Sequence, residues 1–238
     1  MSIAQALQET KDRIANATLR ANRNPHEVTL IAVSKTFPAS AVLEAIAAGQ
    51  HDFGENRVEE ALPKMAEVGS KEVWHLIGHV QSRKVKEVVG PFDLIHSVDS
   101  LKLAEVLDRR ANTPQGPIPI HLLLQCNVSG EASKEGFDLA NWESEPAKLQ
   151  AFVDVVEKIQ TLLAIHVDGL MTMAPVVESQ DQARPVFASL RHLRDALRER
   201  FPNLALPHLS MGMSDDFEAA IAEGSTMVRV GRAIFGTR

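Results

Sequence analysis

The chain has little of several residue types, and each shortage excludes a class of protein. Its 238 residues include a single cysteine, Cys126, which excludes an intramolecular disulfide framework and thiolate zinc sites. Tyrosine is absent altogether. No apolar run is long enough to cross a bilayer, and the N-terminus lacks the basic and apolar regions of a secretory signal. We therefore expect a soluble, cytoplasmic protein without a membrane partner.

Positive charge is also scarce. The 25 lysines and arginines are outnumbered by 31 aspartates and glutamates, which gives a formal net charge of −6. Proteins that bind nucleic acid carry a basic face, so the balance argues against such a partner. The basic cluster at residues 83–86 is interpreted as the solvated face of a helix. The remaining composition, 45% hydrophobic and 24% charged, is that of a globular protein with one large core.

Short apolar segments alternate with amphipathic ones along the chain. An amphipathic helix is predicted first, over about residues 3–22. Helices are then predicted after each of the first seven strands, at residues 39–48, 57–68, 80–89, 101–110, 146–163, 180–201 and 215–223. Eight strands are predicted, at residues 28–34, 51–54, 73–77, 94–98, 118–126, 165–171, 206–209 and 227–230.

This alternation implies parallel strands joined by right-handed crossovers. Eight such units without a change of composition favour an α/β fold of one domain, residues 1–238. The specific prediction is a (β/α)8 TIM barrel with an extra N-terminal helix. A doubly wound open sheet remains the alternative, because the pattern alone does not show whether the sheet closes.

Lys35 lies at the carboxyl end of the first predicted strand, just before Pro38 ends the extended segment. Barrels and open α/β sheets keep their chemistry at this edge. Burial lowers the pKa of an amine, and only the neutral amine attacks a carbonyl. Taken alone, a lysine at a strand end is more often a surface residue that begins a loop.

The segments after strands seven and eight predict an anion site. Ser210 to Ser214 follow strand seven, and Gly231 and Arg232 follow Arg229 of strand eight. Barrels often bind phosphate here through backbone N–H groups and a short helix. A turn that caps a helix at Asp215 would explain the serines equally well. The two interpretations are compatible, because a phosphate can bind at the same helix N-terminus. An amine facing a phosphate site suits a phosphorylated aldehyde, of which pyridoxal 5′-phosphate (PLP) is the common one.

Other motifs predict no site. His75 and His79 are four residues apart, but in a strand that spacing puts them roughly 13 Å apart, too far for one metal ion. No glycine-rich nucleotide loop is present. Cys126 is interpreted as a small buried hydrophobic residue. The sequence therefore predicts no metal site.

Six motifs follow one another along the chain: Ala32-Val-Ser-Lys35-Thr, Phe53-Gly-Glu-Asn56, Trp74-His-Leu-Ile-Gly-His-Val-Gln-Ser-Arg-Lys84, Gly169-Leu-Met-Thr-Met173, Leu209-Ser-Met-Gly-Met-Ser-Asp-Asp216 and Val228-Arg-Val-Gly231. Together, from Ile31 to Gly236, they resemble the YggS/PROSC family, the pyridoxal phosphate homeostasis proteins. One departure is Leu76, where the family has Phe or Met, and we expect a difference of packing only.

The resemblance implies a barrel like the N-terminal domain of alanine racemase, a fold-type III PLP enzyme. It implies that Lys35 forms a Schiff base with PLP and that Asn56 lines the ring pocket. It further implies that Arg229 faces the pyridine nitrogen and that the phosphate is held by Ser210, Gly231 and Arg232. Members of the family are associated with vitamin B6 and amino-acid balance, without an established catalytic turnover.

Two features argue against a racemase. The related racemases use a lysine and a tyrosine as bases on opposite faces, and the tyrosine comes from a second domain. This chain has no tyrosine and is expected to lack that domain, because it ends soon after strand eight. An arginine against the pyridine nitrogen also makes the ring a weaker electron sink. A histidine or an aspartate would have to supply the missing base. His79 or His166 could serve, although a structural role is the simpler interpretation of each.

Three hypotheses follow. The first, which we favour, is a non-catalytic protein that stores or delivers PLP. Its expected partners are the cofactor and PLP-dependent apoenzymes. The second is a PLP-dependent amino-acid racemase with an unrecognised base. The third is a barrel enzyme that binds a phosphorylated sugar and uses Lys35 in aldolase-type chemistry. A monomer or weak dimer is expected.

Overall fold

Eight parallel strands close into a barrel in the computed structural model, which describes residues 1–69 and 71–236. Each barrel strand pairs with its neighbours in chain order, β8 pairs with β1, and pairing of β4 with β5 completes the ring. The predicted TIM barrel is therefore confirmed, and the open sheet is excluded. The strands are β1 (Thr29–Val33), β2 (Asp52–Glu55), β3 (Val73–Leu76), β4 (Leu94–Val98), β5 (Ile120–Asn127), β6 (Ile165–Met171), β7 (His208–Ser210) and β8 (Met227–Val230).

Helices surround the barrel and mostly match the prediction. The helix predicted at residues 80–89 is shorter in the structure, where a 3₁₀ turn at Ser82–Lys84 precedes α4. The helix predicted at residues 180–201 begins with a 3₁₀ turn at Gln180–Ala183. A four-residue helix after β8, α9, was not predicted, because it spans barely one helical turn and cannot show a repeating hydrophobic pattern. The helices are α1 (Ile3–Arg20), α2 (Ala39–Ala47), α3 (Val58–Val68), α4 (Val85–Val88), α5 (Leu101–Ala111), α6 (Pro146–Gln160), α7 (Arg184–Arg200), α8 (Phe217–Ala222) and α9 (Arg232–Phe235).

The N-terminal helix α1 covers one side of the barrel. Ser2 caps it by accepting from the backbone N–H of Gln5, whose side chain accepts from the Ser2 N–H in return. Its apolar face buries Leu7 and Ile14 in a cluster that includes Val228 of β8. Since α1 packs against α2, α8 and α9, it supports the elements that flank the carboxyl ends of β1, β7 and β8.

Two small elements lie outside the barrel. Residues 112–117 form a short antiparallel hairpin that leads into β5. The pair Phe137–Asp138 lies parallel to the end of β5. Within the described part of the chain, none of the helices combines the length and the apolar character needed to span a bilayer.

Candidate functional site

A cavity of about 420 Å³ opens at the carboxyl ends of the strands. The segments that follow every strand except β4 contribute to its wall. Five of the residues predicted from the sequence lie together there, and one predicted residue does not. The five are Lys35, Asn56, Arg229, Gly231 and Arg232.

Lys35 lies two residues beyond the end of β1, in a tight turn. The Phe37 N–H donates to the Ser34 carbonyl at 3.1 Å, and Thr36 has a left-handed φ of 71°. A β-branched residue rarely adopts this conformation, so the surrounding contacts must hold it. The Lys35 side chain is exposed rather than buried, and within residues 1–69 and 71–236 its ammonium forms no hydrogen bond or ion pair. The amine therefore reaches the cavity unpaired.

A buried ion pair lies directly beneath this turn. The Lys64 ammonium on α3 donates to Glu55 Oε1 at 2.6 Å and to the Ser34 carbonyl at 2.7 Å. The Ser34 hydroxyl donates to the same Glu55 oxygen at 2.7 Å. Burial raises the pKa of Glu55, while the hydrogen bonds from Lys64 and Ser34 act in the opposite direction. Since these groups adjoin Lys35 and Asn56 in sequence, the pair fixes the ends of β1 and β2.

Asn56 enters the cavity wall because a glycine allows close approach on its far side. A Cβ on Gly78 would lie 2.2 Å from the Asn56 carbonyl oxygen and 2.7 Å from its Cα. Any side chain at Gly78 would therefore push the ends of β2 and β3 apart. The glycine keeps Asn56 and the residues after β3 in one continuous wall.

Arg229 forms the floor of the cavity. It points inward from β8, is 4% exposed, and donates through Nη2 to the Thr172 carbonyl at 2.9 Å and through Nη1 to the Ser210 hydroxyl. Burial lowers its pKa to about 10, with the nearby Asp216 opposing the change. Arg229 is therefore still cationic at neutral pH, with its orientation fixed from below.

Ser210 is the predicted residue that the structure does not place in the cavity wall. It is fully buried and lies below Arg229, where its hydroxyl also contacts His96 Nδ1 at 2.8 Å. The last residue of a barrel strand can point into the interior, and here it does. Ser214, four residues on, lines the cavity instead because Gly212, with a φ of 96°, turns the loop outward.

Arg232 and Gly231 begin the short helix α9 beside that loop. Arg232 is exposed and forms an ion pair with Asp215, which joins the two segments that the sequence predicts as an anion site. The Phe37 and Phe235 rings lie 5.3 Å apart. That contact joins α9 to the turn that carries Lys35.

His79 also lies on the cavity wall, unlike the other histidine considered as a base. His79 Nδ1 lies 3.3 Å from Asp99 Oδ2 and 3.3 Å from Glu135 Oε2. The sequence predicted no metal site, yet ligand atoms of these three residues all lie within 4.8 Å of one another, a spacing that also suits a metal ion. His166 stacks on His121, which lies near the amino end of β5, so it cannot act in the cavity.

Two buried histidines lie in contact inside the barrel. From the sequence, His75 is considered only as a partner of His79, and its contact with His96 is not predicted. His75 on β3 and His96 on β4 contact each other at 3.0 Å. A signal was present, because each histidine interrupts an otherwise apolar strand of a predicted barrel. Cys126, by contrast, is buried as expected, and burial raises the pKa of its thiol.

Burial of His96 makes stability depend on pH. Burial, and then the charges of His75 and Arg229, lower the pKa of His96 well below 6.5. The unfolded chain therefore binds a proton at this residue before the folded protein does. The free energy of unfolding should then fall as pH drops below about 6.5, with a limiting slope near 1.4 kcal/mol per pH unit per proton. Urea denaturation between pH 8 and 5.5 measures the slope, and an equal slope in His96→Asn would contradict the assignment.

Comparisons with known proteins agree on one family. Residues 7–238 match the family model "Alanine racemase, N-terminal domain". The chain is 44% identical to the pyridoxal phosphate homeostasis protein of Pseudomonas aeruginosa, over 100% of this chain and 96% of that protein. It is 42% identical to the Escherichia coli protein of the same name, over 99% of this chain and 97% of that one.

Solved structures give the same result. PipY of Synechococcus elongatus with PLP bound is 40% identical, covers 99% of this chain and 100% of its own, and has a TM-score of 0.80. An alanine racemase from Clostridium difficile superposes with a TM-score of 0.74 at 13% identity, with 57% of its length covered, which shows a shared fold alone. The full-length matches at 40% identity and above show that the chain belongs to the pyridoxal phosphate homeostasis family, which is built on the alanine racemase N-terminal domain.

Proposed function

We propose that this protein binds PLP through a Schiff base at Lys35 and serves PLP homeostasis without catalytic turnover. The observation that carries the proposal is the cavity itself, which joins an unpaired amine after β1 to anion-binding segments after β7 and β8. PipY, solved with PLP bound, supports the choice of ligand. When bound, PLP supplies an aldehyde that the Lys35 amine can attack.

The donor set in the cavity fits this ligand. Arg229 is a buried cation whose remaining N–H groups can donate to an unprotonated ring nitrogen. Asn56 lies in the wall and can donate to a ring substituent. Since arginine cannot give up its proton at neutral pH, it holds the ring without protonating it.

In this proposal, the segments after β7 and β8 bind the phosphate of the cofactor. Ser214, Gly231 and Arg232 line the cavity, and the first N–H groups of a helix have no partner within that helix. Ser210 was expected in this role, but its hydroxyl is buried against Arg229 and His96. We therefore assign the hydroxyl contact to Ser214.

Replacing Ser214 with alanine tests that assignment. The change removes one charge-assisted hydrogen bond, so PLP affinity should weaken by about 1–3 kcal/mol. Equilibrium dialysis with PLP and with unphosphorylated pyridoxal separates the contributions, because only PLP should lose affinity. An equal loss for both ligands would place Ser214 away from the phosphate.

The chain lacks a second base of the racemase kind, since tyrosine is absent. The relatives at 44% and 42% identity are named for homeostasis rather than for a reaction. One observation favours the racemase alternative: His79 lies on the cavity wall against two carboxylates, an arrangement found around general bases.

Exchange of the α-proton of amino acids in deuterated water separates the two functions. The PLP-loaded protein should show no exchange above that of free PLP. Exchange that disappears in His79→Asn would establish the racemase alternative.

We further propose that the bound cofactor is delivered to PLP-dependent apoenzymes by a monomer or weak dimer. The exposed position of Lys35 at the cavity mouth supports delivery, since the attachment atom is reachable from outside. The rate of apoenzyme activation by the loaded protein should exceed the rate of spontaneous PLP release. Equal rates would indicate storage only.

A further inference from the structure

A continuous chain of hydrogen bonds runs through the barrel interior from the cavity floor. It begins at Arg229, whose Nη1 contacts the Ser210 hydroxyl, and continues from that hydroxyl to His96 Nδ1 at 2.8 Å. His96 Nε2 lies 3.0 Å from His75 Nδ1, and His75 Nε2 lies 3.2 Å from Asp52 Oδ1. The three central residues are at most 3% exposed.

The two ends of this chain fix the direction of every bond in it. Arg229 can only donate, and an ionised Asp52 can only accept. His75 therefore donates from Nε2 to Asp52 and accepts at Nδ1 from His96 Nε2. His96 in turn accepts at Nδ1 from the Ser210 hydroxyl, which accepts from Arg229. In this arrangement, each of these hydrogen bonds has one donor and one acceptor, and both imidazole rings are neutral.

The reverse arrangement leaves a buried group unsatisfied. If His75 donated to His96, then His96 would have to donate from Nδ1 to Ser210. The Ser210 oxygen would accept twice, and its own proton would have no acceptor among the contacts that the described residues make with it. Burial disfavours charge on His96, which agrees with the neutral arrangement.

We propose that Ser210, His96 and His75 are positioning residues that fix the Arg229 guanidinium toward the pyridine nitrogen of the cofactor. The inference rests on the proposed function for its consequence at the cofactor. The chain itself is independent of any ligand. Because the direction of each hydrogen bond depends on the next, a change at His96 should alter the orientation of the Arg229 guanidinium, although the two side chains are linked only through Ser210.

Histidine tautomers test the chain without any cofactor. In the ligand-free protein labelled with ¹⁵N-histidine, two-bond proton–nitrogen correlation spectra at neutral pH should show His96 and His75 both neutral, with the proton on Nε2. A proton on His96 Nδ1 would overturn the proposal. This measurement stays valid even if Lys35 proves not to bind PLP.

Variants test the effect on Arg229. Ser210→Ala and His96→Leu should each shift the visible absorbance of the PLP-loaded protein and speed PLP release by about tenfold. Ser210→Thr keeps the hydroxyl, so its absorbance and its rate of PLP release should match those of the unaltered protein. Ser225→Ala is the matched control, since it removes another fully buried serine hydroxyl, which donates to the Met211 carbonyl at 2.8 Å.

Each outcome decides the proposal. Equal spectral shifts in Ser210→Ala and His96→Leu, with none in Ser225→Ala, would support it. A shift in Ser210→Ala alone would end the chain at the serine and overturn it, as would a shift in the control. If His96→Leu does not fold, the tautomer measurement decides. Borohydride labelling of Lys35 in the unaltered protein reports separately on the proposed function.

Discussion

Replacing Lys35 with alanine is expected to abolish covalent retention of PLP. In the unaltered protein, borohydride reduction after incubation with PLP should attach one cofactor per chain, and peptide mass mapping should locate it at Lys35. The reason is geometric: Lys35 alone places an amine in the cavity wall without a partner within the described residues, whereas Lys64 is committed to Glu55 and Ser34.

The control for this experiment is Lys86→Ala. Lys86 is an exposed lysine of α4 that does not line the cavity, so its loss should leave both the yield and the position of the label unchanged. A label on any other lysine, or a full label in Lys35→Ala, would refute the central assignment. A weak noncovalent affinity for PLP should survive in Lys35→Ala, because the phosphate and ring contacts remain.

Lys64→Met is expected to produce the largest loss of stability. The change leaves the Glu55 carboxylate buried without its counter-charge, and Glu55 Oε2 already has no hydrogen-bond partner. Breaking one side of a buried pair costs about 3–5 kcal/mol, which urea denaturation measures directly. The same change at exposed Lys86 should alter the free energy of unfolding by about 0.5 kcal/mol or less.

The pH dependence of this loss identifies its cause. Burial raises the pKa of Glu55, and removing Lys64 raises it further. An acid whose folded pKa is raised stabilises the fold at low pH, and the stabilisation is lost as pH rises through that pKa. The deficit of Lys64→Met should therefore be smaller at pH 5 than at pH 8, and Glu55→Gln added to Lys64→Met should remove the difference. A deficit independent of pH would assign the loss to packing.

The barrel and most of the cavity could be predicted from the sequence for a simple physical reason. Parallel strands bring their carboxyl ends to one face, so Lys35, Asn56 and Arg229 had to lie near one another once the barrel closed. No knowledge of strand register was needed for that inference. The family motifs then indicated which ligand these residues suit.

Contacts between distant strands could not be predicted. Whether Ser210 points into the cavity or below it depends on the strand register and on where the loop turns at Gly212. The contact of His96 with Ser210 joins residues 114 positions apart in the chain. A buried pair such as Glu55 and Lys64 is equally invisible, because nothing in the sequence shows that a helical lysine points inward.

The contact between Phe37 and Phe235 bears on which aldehydes the proposed function allows. Phe37 follows Lys35 after β1, and Phe235 ends the helix that begins the proposed phosphate segment after β8. Since β1 and β8 are paired neighbours and the two rings are in contact, the structure fixes the distance between the two proposed anchors. If Lys35 and that segment both hold the cofactor, a longer or shorter phosphorylated aldehyde should engage only one of them at a time.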